Sequence, residues 1–267
     1  MKKSDLFKLL LKAFMLLFLI GFSFRSFGAP AKQQYYEIRI YQISDKVQEG
    51  RVDAFLKDAY LPALHRAGIA KAGVFKPIET DTASFGKLIY VFIPFNTMDE
   101  YVKLIGELEK DKAYAEAGKS FLDAAFNNPP YKRLQSIILK AFMLMPQFVA
   151  PVYSTPAAER IYELRSYESA TEAKAAKKIQ MFNLGGEIAL FSSLGFNAVF
   201  YGEVLAGSQK PNLMYMTTFS DMKSHDEHWK SFVASPEWKK ISGMEEYKNT
   251  VSKVSVFLLH PTSYSDF

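Results

Sequence analysis

Residues 36–41 read YEIRIY, and residues 162–167 read YELRSY, so one six-residue pattern occurs twice in the chain. Further matched pairs follow in the same order: Phe55 with Phe182, Gly68 with Gly195, Leu88 with Leu213, Tyr90 with Tyr215, Phe95 with Phe219, and Tyr114 with Trp238. The small drift in the offset between the copies is typical of insertions in loops, which tolerate changes in length. Ordered matches over such a length predict a duplicated structural unit.

Hydrophobic periodicity predicts the same order of elements in each copy. In the first copy, strands are expected over residues 35–43, 70–78, 87–94 and 135–145, with helices over 48–66 and after residue 96. In the second copy, strands are expected over 160–168, 196–205, 212–219 and 251–260, with helices over 171–193 and 221–233. The run Ser235-Pro236-Glu237 places a cap, a first-turn proline and a first-turn acid in order, which predicts one further short helix.

The resulting order β-α-β-β-α-β is that of the ferredoxin-like unit, an antiparallel sheet with both helices on one face. The other face of such a sheet is bare, and two units in one chain cover each other's bare faces. The sequence therefore predicts an α+β fold, with two tandem ferredoxin-like units packed sheet to sheet as a pseudo-dimeric α+β barrel. The expected domains are residues 33–146 and 159–267, joined by a proline-containing linker over 147–158.

The N-terminus has the order of a secretory signal peptide: two lysines, an apolar stretch over residues 13–24, and then small residues. The apolar stretch is shorter than the roughly 20 residues that a membrane-spanning helix needs. We therefore expect residues 1–28 to be removed on export to the periplasm or the medium, with no stable membrane insertion afterwards. A retained anchor is the alternative.

The charge of the chain is concentrated in this leader, which supplies four of the five net positive charges. A protein that binds nucleic acid carries its excess of Lys and Arg on the folded part, so this class is set aside. The chain has no cysteine, which excludes disulfide bonds and a cysteine nucleophile.

Five segments of the sequence resemble one family: YELRSY at 162–167, MFNLGGEI at 181–188, PNLMYM at 211–216, WKSFVASPEW at 229–238 and PTSYS at 261–265. They resemble the NIPSNAP-like proteins of the dimeric α+β barrel superfamily, in particular an exported bacterial subgroup with two domains. The chain departs from the family at His225, where an Arg commonly precedes Asp226. The resemblance implies the fold, but the family has no agreed activity, so no function follows from it.

Polar residues alternate with apolar ones along the first strand of each copy, and alternate residues point to opposite faces of a sheet. The candidate ligand-binding residues on these two strands are Arg39 and Tyr41 in the first copy and Glu163, Arg165 and Tyr167 in the second. If the apolar residues meet the helices, this polar set, which also includes Glu37, faces the other domain. Two interpretations stay open: each Glu and Arg satisfy one another as a buried pair, or they line a ligand pocket.

A second candidate lies at Gly185-Gly186-Glu187, inside the predicted helix over 171–193. Two glycines within a helix are unfavourable by roughly 1 kcal/mol each relative to Ala, so either close packing or the approach of a ligand should compensate for them. In the second case Glu187, together with Glu203 of the next strand, is a candidate acid or base. Because the first copy has an ordinary helix at this place, we expect the second copy to supply more of any functional pocket.

His225 and His228 share one helix face, but they lack the flanking pattern of a zinc motif, which indicates a solvated polar face and no metal site. Trp229, Phe232 and Trp238 are expected in the core or an interface. Glycine-rich phosphate loops and the nucleophile and zinc motifs of hydrolases are absent from the sequence, so we expect no cofactor.

Two classes of function are consistent with these residues. The first is a protein that binds a small, partly apolar molecule or a protein partner. The alternative is a cofactor-independent enzyme, monooxygenase- or isomerase-like, by analogy with the superfamily. Formation of a homo-oligomer is compatible with either class.

Overall fold

The computed structural model describes residues 31–267, so the predicted signal peptide lies outside the described residues. The strands are β1 Tyr35–Gln42, β2 Gly73–Pro77, β3 Leu88–Phe95, β4 Arg133–Ala141, β5 Ile161–Glu168, β6 Asn197–Ala206, β7 Asn212–Phe219 and β8 Lys253–Pro261. The α-helices are α1 Lys46–Phe55, α2 Leu61–Arg66, α3 Met98–Lys110, α4 Lys112–Ala117, α5 Lys119–Leu122, α6 Glu172–Asn183, α7 Glu187–Ser193, α8 Met222–Ala234 and α9 Pro236–Gly243. A π-helical segment, Leu56–Tyr60, joins α1 to α2, and a short 3-10 helix, Glu245–Tyr247, follows α9.

Polar residues fix where several of these helices begin. The side chains of Asp45, Thr97, Thr171, Asp221 and Ser235 each accept a hydrogen bond from the backbone N–H three residues further on. Such caps satisfy N–H groups that have no partner within the helix. Pro236 occupies the first turn of α9, as its sequence predicted.

The eight strands form one closed antiparallel barrel, in the order β1-β3-β2-β8-β5-β7-β6-β4. The strands of the first half follow one another as β4-β1-β3-β2, and those of the second half as β8-β5-β7-β6, which is the same arrangement twice. The predicted α+β barrel of two ferredoxin-like units is therefore confirmed. The edges of the two sheets are also hydrogen-bonded, β2 to β8 and β4 to β6, so the barrel leaves no free edge.

The barrel interior is apolar and rich in aromatic residues. Its buried side chains include Tyr36, Ile38, Phe75, Phe92, Tyr162, Leu164, Phe200 and Phe267. The predicted orientation of β1 and β5 was wrong, because their apolar residues face the interior between the halves and the polar residues face the helices. The reason is that the interior is sealed by both sheets and has no room for ion pairs, whereas the helix side offers polar partners.

Two of the matched pairs in the repeat, Leu88 with Leu213 and Tyr90 with Tyr215, are out of register by one residue. Arg39 lies opposite Val91 on β3, and Arg165 lies opposite Tyr215 on β7. Val91 is therefore the counterpart of Tyr215, whereas Tyr90 points into the barrel interior. A shift of one residue in register moves a side chain to the opposite face of the sheet.

The predicted helix over 171–193 is interrupted at the glycine pair. α6 ends at Asn183 and α7 begins at Glu187, and Gly186 has a φ of +93°, which favours glycine. A Cβ atom at Gly185 would lie 2.6 Å from the carbonyl oxygen of Met181. The two glycines therefore allow a sharp break with close backbone packing, and they do not lie inside a helix.

Among the described residues, no helix has both the length and the hydrophobicity to cross a bilayer.

Candidate functional site

In the second half, a layer of polar side chains lies between the outer face of the barrel and the helices, with Glu163 of β5 at its centre. Glu163 is buried and accepts hydrogen bonds from Arg165 Nη1 at 2.8 Å and from Trp229 Nε1 at 2.5 Å. Charge-assisted hydrogen bonds of this kind are what a buried carboxylate requires. In this half the Glu and the Arg satisfy one another, as one of the two sequence interpretations expected.

Arg165 connects Glu163 to a pair of tyrosines. Its Nε donates to the Tyr167 hydroxyl at 3.1 Å, and that hydroxyl lies 2.9 Å from the hydroxyl of Tyr215. The guanidinium also lies 4.4 Å from the centre of the Trp229 ring, close enough for a cation–π contact. These contacts hold Arg165 in one place, with 18% of its side chain still exposed.

His225 lies on α8 and faces this layer. Its Nε2 is 3.4 Å from Glu163 Oε2, and its Nδ1 is 2.8 Å from Asp226 Oδ1. Burial disfavours protonation of His225, but the two carboxylates outweigh burial, so the pKa of His225 is raised above its usual value. The prediction of a solvated polar face was wrong for His225, because the buried Glu163 provides it with a partner that is distant in sequence.

Glu187, at the first turn of α7, forms a buried ion pair with Lys178 of α6. The Lys178 Nζ and Glu187 Oε2 atoms are 2.7 Å apart, and both side chains are almost completely buried. The ammonium also lies 4.7 Å from the centre of the Phe182 ring. Burial raises the pKa of Glu187, whereas Lys178 and then Arg165 act in the opposite direction.

Glu203 does not join this cluster. It is exposed on β6 and lines a separate groove of about 290 Å³ with Asn183 and Leu184 of the α6–α7 break. Of the candidate residues in the second half, the structure brings together Glu163, Arg165 and Tyr167. Glu187 lies next to them, within the electrostatic influence of Arg165.

The first half has a looser version of the same layer. Arg39 Nε lies 3.3 Å from Glu37 Oε1 without a well-aligned hydrogen bond, and Ser136 Oγ donates to the same carboxylate oxygen at 2.6 Å. The guanidinium lies 5.0 Å from the centre of the Tyr60 ring. Tyr60 ends the π-helical segment, at the position where the second half has Glu187. π-helical segments inside helices occur frequently at functional sites.

Tyr41 lies at the edge of this layer and contacts two further aromatic rings. Its ring centre is 5.5 Å from that of Tyr131 and 6.3 Å from that of Phe121. Burial raises the pKa of Tyr41 to about 12, with Arg39 acting in the opposite direction, so Tyr41 is a neutral phenol at physiological pH. Of the candidate residues in the first half, Arg39 and Tyr41 are therefore neighbours.

Beyond Tyr41 lies a cleft of about 800 Å³, which we call the aromatic cleft. Its lining residues include Gln42, Phe121, Phe126, Tyr131, Lys132 and Arg133. Sequence reasoning missed this cleft because most of its lining residues lie within 121–131, and no matched position of the repeat falls between Tyr114 and β4. Three aromatic residues next to Pro129-Pro130 are the signal that could have indicated it.

Helix α1 holds the outer wall of the aromatic cleft in place. Gln48 Nε2 donates to the carbonyl oxygen of Pro129 at 2.9 Å, and Arg51 Nη1 donates to that of Asn128 at 3.0 Å. Phe121 stacks on Phe55 with the ring centres 3.9 Å apart. The cleft is thus a formed feature of the first half, supported by side chains of the preceding helix.

A family match covers the second half, in which Arg165, Trp229 and His225 surround Glu163. Residues 162–266 match the NIPSNAP family model. The matched residues include every member of that layer, from Glu163 on β5 to Trp229 on α8. The match supports the NIPSNAP resemblance read from the sequence motifs, and the exported two-domain subgroup stays a prediction. No curated protein matches the chain.

Solved structures show that the barrel occurs in other proteins at low sequence identity. A protein provisionally named a monooxygenase, from Lactobacillus acidophilus NCFM, is 12% identical with a TM-score of 0.55, covering 86% of this chain and 94% of its own. An anthrone oxidase-like protein is 9% identical with a TM-score of 0.51, covering 88% and 94%. A NIPSNAP family protein of unknown function from Agrobacterium tumefaciens is 21% identical with a TM-score of 0.36, covering 42% and 96%. At these identities the first two likenesses show the fold alone.

Proposed function

We propose that this protein binds a small, partly apolar molecule in the aromatic cleft of the first half. The observation that carries the proposal is the cleft itself, with a volume of about 800 Å³ and the rings of Phe121, Phe126 and Tyr131 among its lining residues. Ligand sites in proteins are typically concave, of about 300–1,000 Å³, and lined by apolar and aromatic groups with a few polar ones. Phe126 is fully exposed there, so a ligand that covers its ring gains the free energy of removing apolar surface from water.

The contrast between the two halves favours the first half as the binding half. In the second half Glu163, Arg165 and Lys178 already have partners within the protein, and Trp229 covers the layer. In the first half the position of Trp229 is taken by Ile105, which is exposed on α3. This proposal departs from the expectation drawn from Gly185-Gly186, because those glycines are required by the break between two helices.

Arg39 and Tyr41 are proposed to contribute to the cleft from behind its wall. Tyr41 packs between Arg39 and the rings of Phe121 and Tyr131. Tyr41 is itself buried, so it supports the two rings of the cleft from behind and does not line the cleft directly.

The uncharged fluorophore N-phenyl-1-naphthylamine tests the proposal, because its fluorescence rises in apolar surroundings. We expect saturable binding to the folded protein and a dissociation constant about threefold to tenfold higher for Phe126→Ser, the loss typical of one aromatic contact. The control is Val152→Ser, which changes an equally exposed apolar residue outside the cleft. Equal dissociation constants for the three proteins would contradict a site at Phe126.

A second candidate, cofactor-independent catalysis in the second half, is favoured by one observation. Burial raises the pKa of Glu187 next to Arg165 and the hydroxyl pair of Tyr167 and Tyr215. Groups with perturbed pKa values that cluster in this way are frequent in active sites. The fold likeness to the oxygenase-like structures fits this candidate only loosely. If the Glu187→Gln variant kept the catalytic activity of the unmodified protein, Glu187 would be excluded as a catalytic residue.

We also propose that the protein is exported, on the evidence of the N-terminal sequence. N-terminal sequencing of the protein purified from its source is expected to give a first residue between Ala29 and Lys32. Recovery of a chain that begins at Met1 in the membrane fraction would instead support a retained anchor. Formation of a homo-oligomer stays a prediction.

A further inference from the structure

We infer that the ligand of the aromatic cleft is an organic anion, with an acidic group held at Lys132 and Arg133 and an apolar body against the aromatic walls. The inference rests on the proposed function and adds the chemical class of the ligand. It starts from the charges of the cleft: two cations line it, and no carboxylate is among its lining residues.

The two cations lack the partners that neutralise other charges in the fold. Arg133 Nη1 donates to the carbonyl oxygen of Lys132 at 2.8 Å, a contact that leaves its charge uncompensated. Within residues 31–267, neither cation forms an ion pair with a carboxylate. A pair of uncompensated cations beside an apolar cleft attracts anions and lowers the free energy of a bound acid.

At the equivalent position of the second half, a carboxylate neutralises the cation. Arg133 lies opposite Gln42 across β1 and β4, and Lys253 lies opposite Glu168 across β5 and β8. Lys253 Nζ forms an ion pair with Glu168 Oε1 at 3.0 Å. The first half has the neutral Gln42 at that position, and Gln42 itself lines the cleft. The position keeps its cation in both halves, but only the second half also carries the partner carboxylate.

Acidic residues near the cleft are already engaged elsewhere. Asp123 forms an ion pair with Lys119, and Asp45 caps α1 by accepting a hydrogen bond from the backbone of Gln48. Glu49 accepts from both Lys46 and Lys76. None of these carboxylates forms an ion pair with Lys132 or Arg133.

The shape of the cleft decides which anions fit. An inorganic anion would use the two cations but would leave the rings of Phe121 and Tyr131 in contact with water. An acid with an aromatic or aliphatic body covers those rings and places its charge at the rim. Burial of apolar surface and attraction between opposite charges then both favour binding. The expected class is a small amphiphilic carboxylate or sulfonate.

Two fluorophores that share one body test this inference on the folded protein without its leader. 8-Anilinonaphthalene-1-sulfonate carries a sulfonate on the framework that N-phenyl-1-naphthylamine has without charge. We expect the sulfonate to bind more tightly to the unmodified protein. Its dissociation constant should rise about fivefold in Lys132→Gln/Arg133→Gln, as expected for two partly exposed charges, whereas that of the uncharged probe should stay constant. The preference for the sulfonate should shrink between 0.05 and 0.5 M NaCl because salt screens exposed charges.

The matched control compares two single variants of equal charge. Arg133→Gln should weaken sulfonate binding, and Lys253→Gln at the equivalent register position should leave it unchanged. Thermal unfolding of each variant establishes that it is folded. Equal binding of both probes to the unmodified protein, or equal losses for both probes in the variants, would overturn the anion inference while the small-molecule site stands. Failure of both probes to bind would overturn the proposed function as well.

Discussion

Replacement of Glu187 by Gln is expected to lower the free energy of unfolding by about 3–5 kcal/mol, the loss typical when one partner of a buried ion pair is removed. Lys178 and Glu187 are both almost fully buried, and their charged atoms are 2.7 Å apart. Gln keeps the shape and one hydrogen bond, but it leaves the ammonium of Lys178 without a countercharge in an apolar place. Urea unfolding followed by the fluorescence of Trp229 and Trp238 measures the loss.

A double replacement separates the charge from the packing. Lys178→Met/Glu187→Met removes both charges and keeps most of the volume, and buried pairs replaced by apolar residues are often as stable as the original. We therefore expect the double variant to recover most of the stability that Glu187→Gln loses. Asp58→Asn is the control: it neutralises an exposed acid in the corresponding segment of the first half and should change stability by less than about 0.5 kcal/mol.

The pKa of Glu187 defines the result that would contradict this prediction. Burial raises that pKa, so a carboxyl that was already protonated in the native protein would be nearly isosteric with Gln. A loss below about 0.5 kcal/mol for Glu187→Gln would then mean that the native pair is not ionic. The same outcome would strengthen the catalytic candidate, since a protonated buried carboxyl can act as an acid.

The fold could be predicted from the sequence because two independent signals agree. The repeat sets the number of units, and the alternation of strand and helix periods sets the order β-α-β-β-α-β within each. The orientation of β1 and β5 could not be predicted in the same way. Both faces of these strands are covered, one by the barrel interior and one by helices. Alternation alone therefore does not predict whether the polar residues face the interior or the helices.

The site was predicted only where its members are close in sequence. Glu163 and Arg165 are two residues apart on one strand, so their pairing could be read from the strand period. Trp229 and His225 reach Glu163 from a helix more than 60 residues away, and no local pattern indicates that contact. Lys178 looks like an exposed residue of a lysine-rich helix, but it is buried beside Glu187 of α7, which follows the break at Gly185-Gly186, and beside the ring of Trp238, which is distant in sequence.

The aromatic cleft could not be predicted from the repeat. It is built from a stretch of the first half in which the two copies share no matched position, so comparing them gave no expectation there. Once the strand register is known, the two copies can be aligned residue by residue at the cleft. The register then identifies Gln42 and Glu168 as equivalent, and the difference between an amide and a carboxylate explains why Arg133 is left without a partner.

Removal of residues 262–267 is expected to destabilise the protein by more than about 3–5 kcal/mol, the cost typical of truncating one buried Phe. This tail follows β8 and runs along β2 of the other half. The backbone N–H of Thr262 donates to the carbonyl of Val74 at 2.9 Å, and Asp266 Oδ2 accepts from the backbone N–H of Ala72 at 2.7 Å. Phe267 is buried in the barrel interior.

The position of the tail explains why so short a segment should matter. Only three residue pairs join β2 to β8, from Phe75 opposite Pro261 to Pro77 opposite Leu259. The tail continues this seam past the end of β8, and the ring of Phe267 packs 5.8 Å from those of Phe75 and Phe92. Without the tail, the rest of β2 becomes an open edge and the interior is exposed at that end.

Single variants divide the expected loss between packing and hydrogen bonding. Phe267→Ala should account for most of it, about 3–5 kcal/mol, because the cavity lies in a sealed aromatic interior. Tyr264→Phe keeps its ring but loses the 2.6 Å hydrogen bond to Asp53, and should lose only about 1 kcal/mol. Urea unfolding of the three variants gives the ranking. A truncated chain that unfolds at the same urea concentration as the full chain would mean that the β2–β8 ladder alone holds the two halves together.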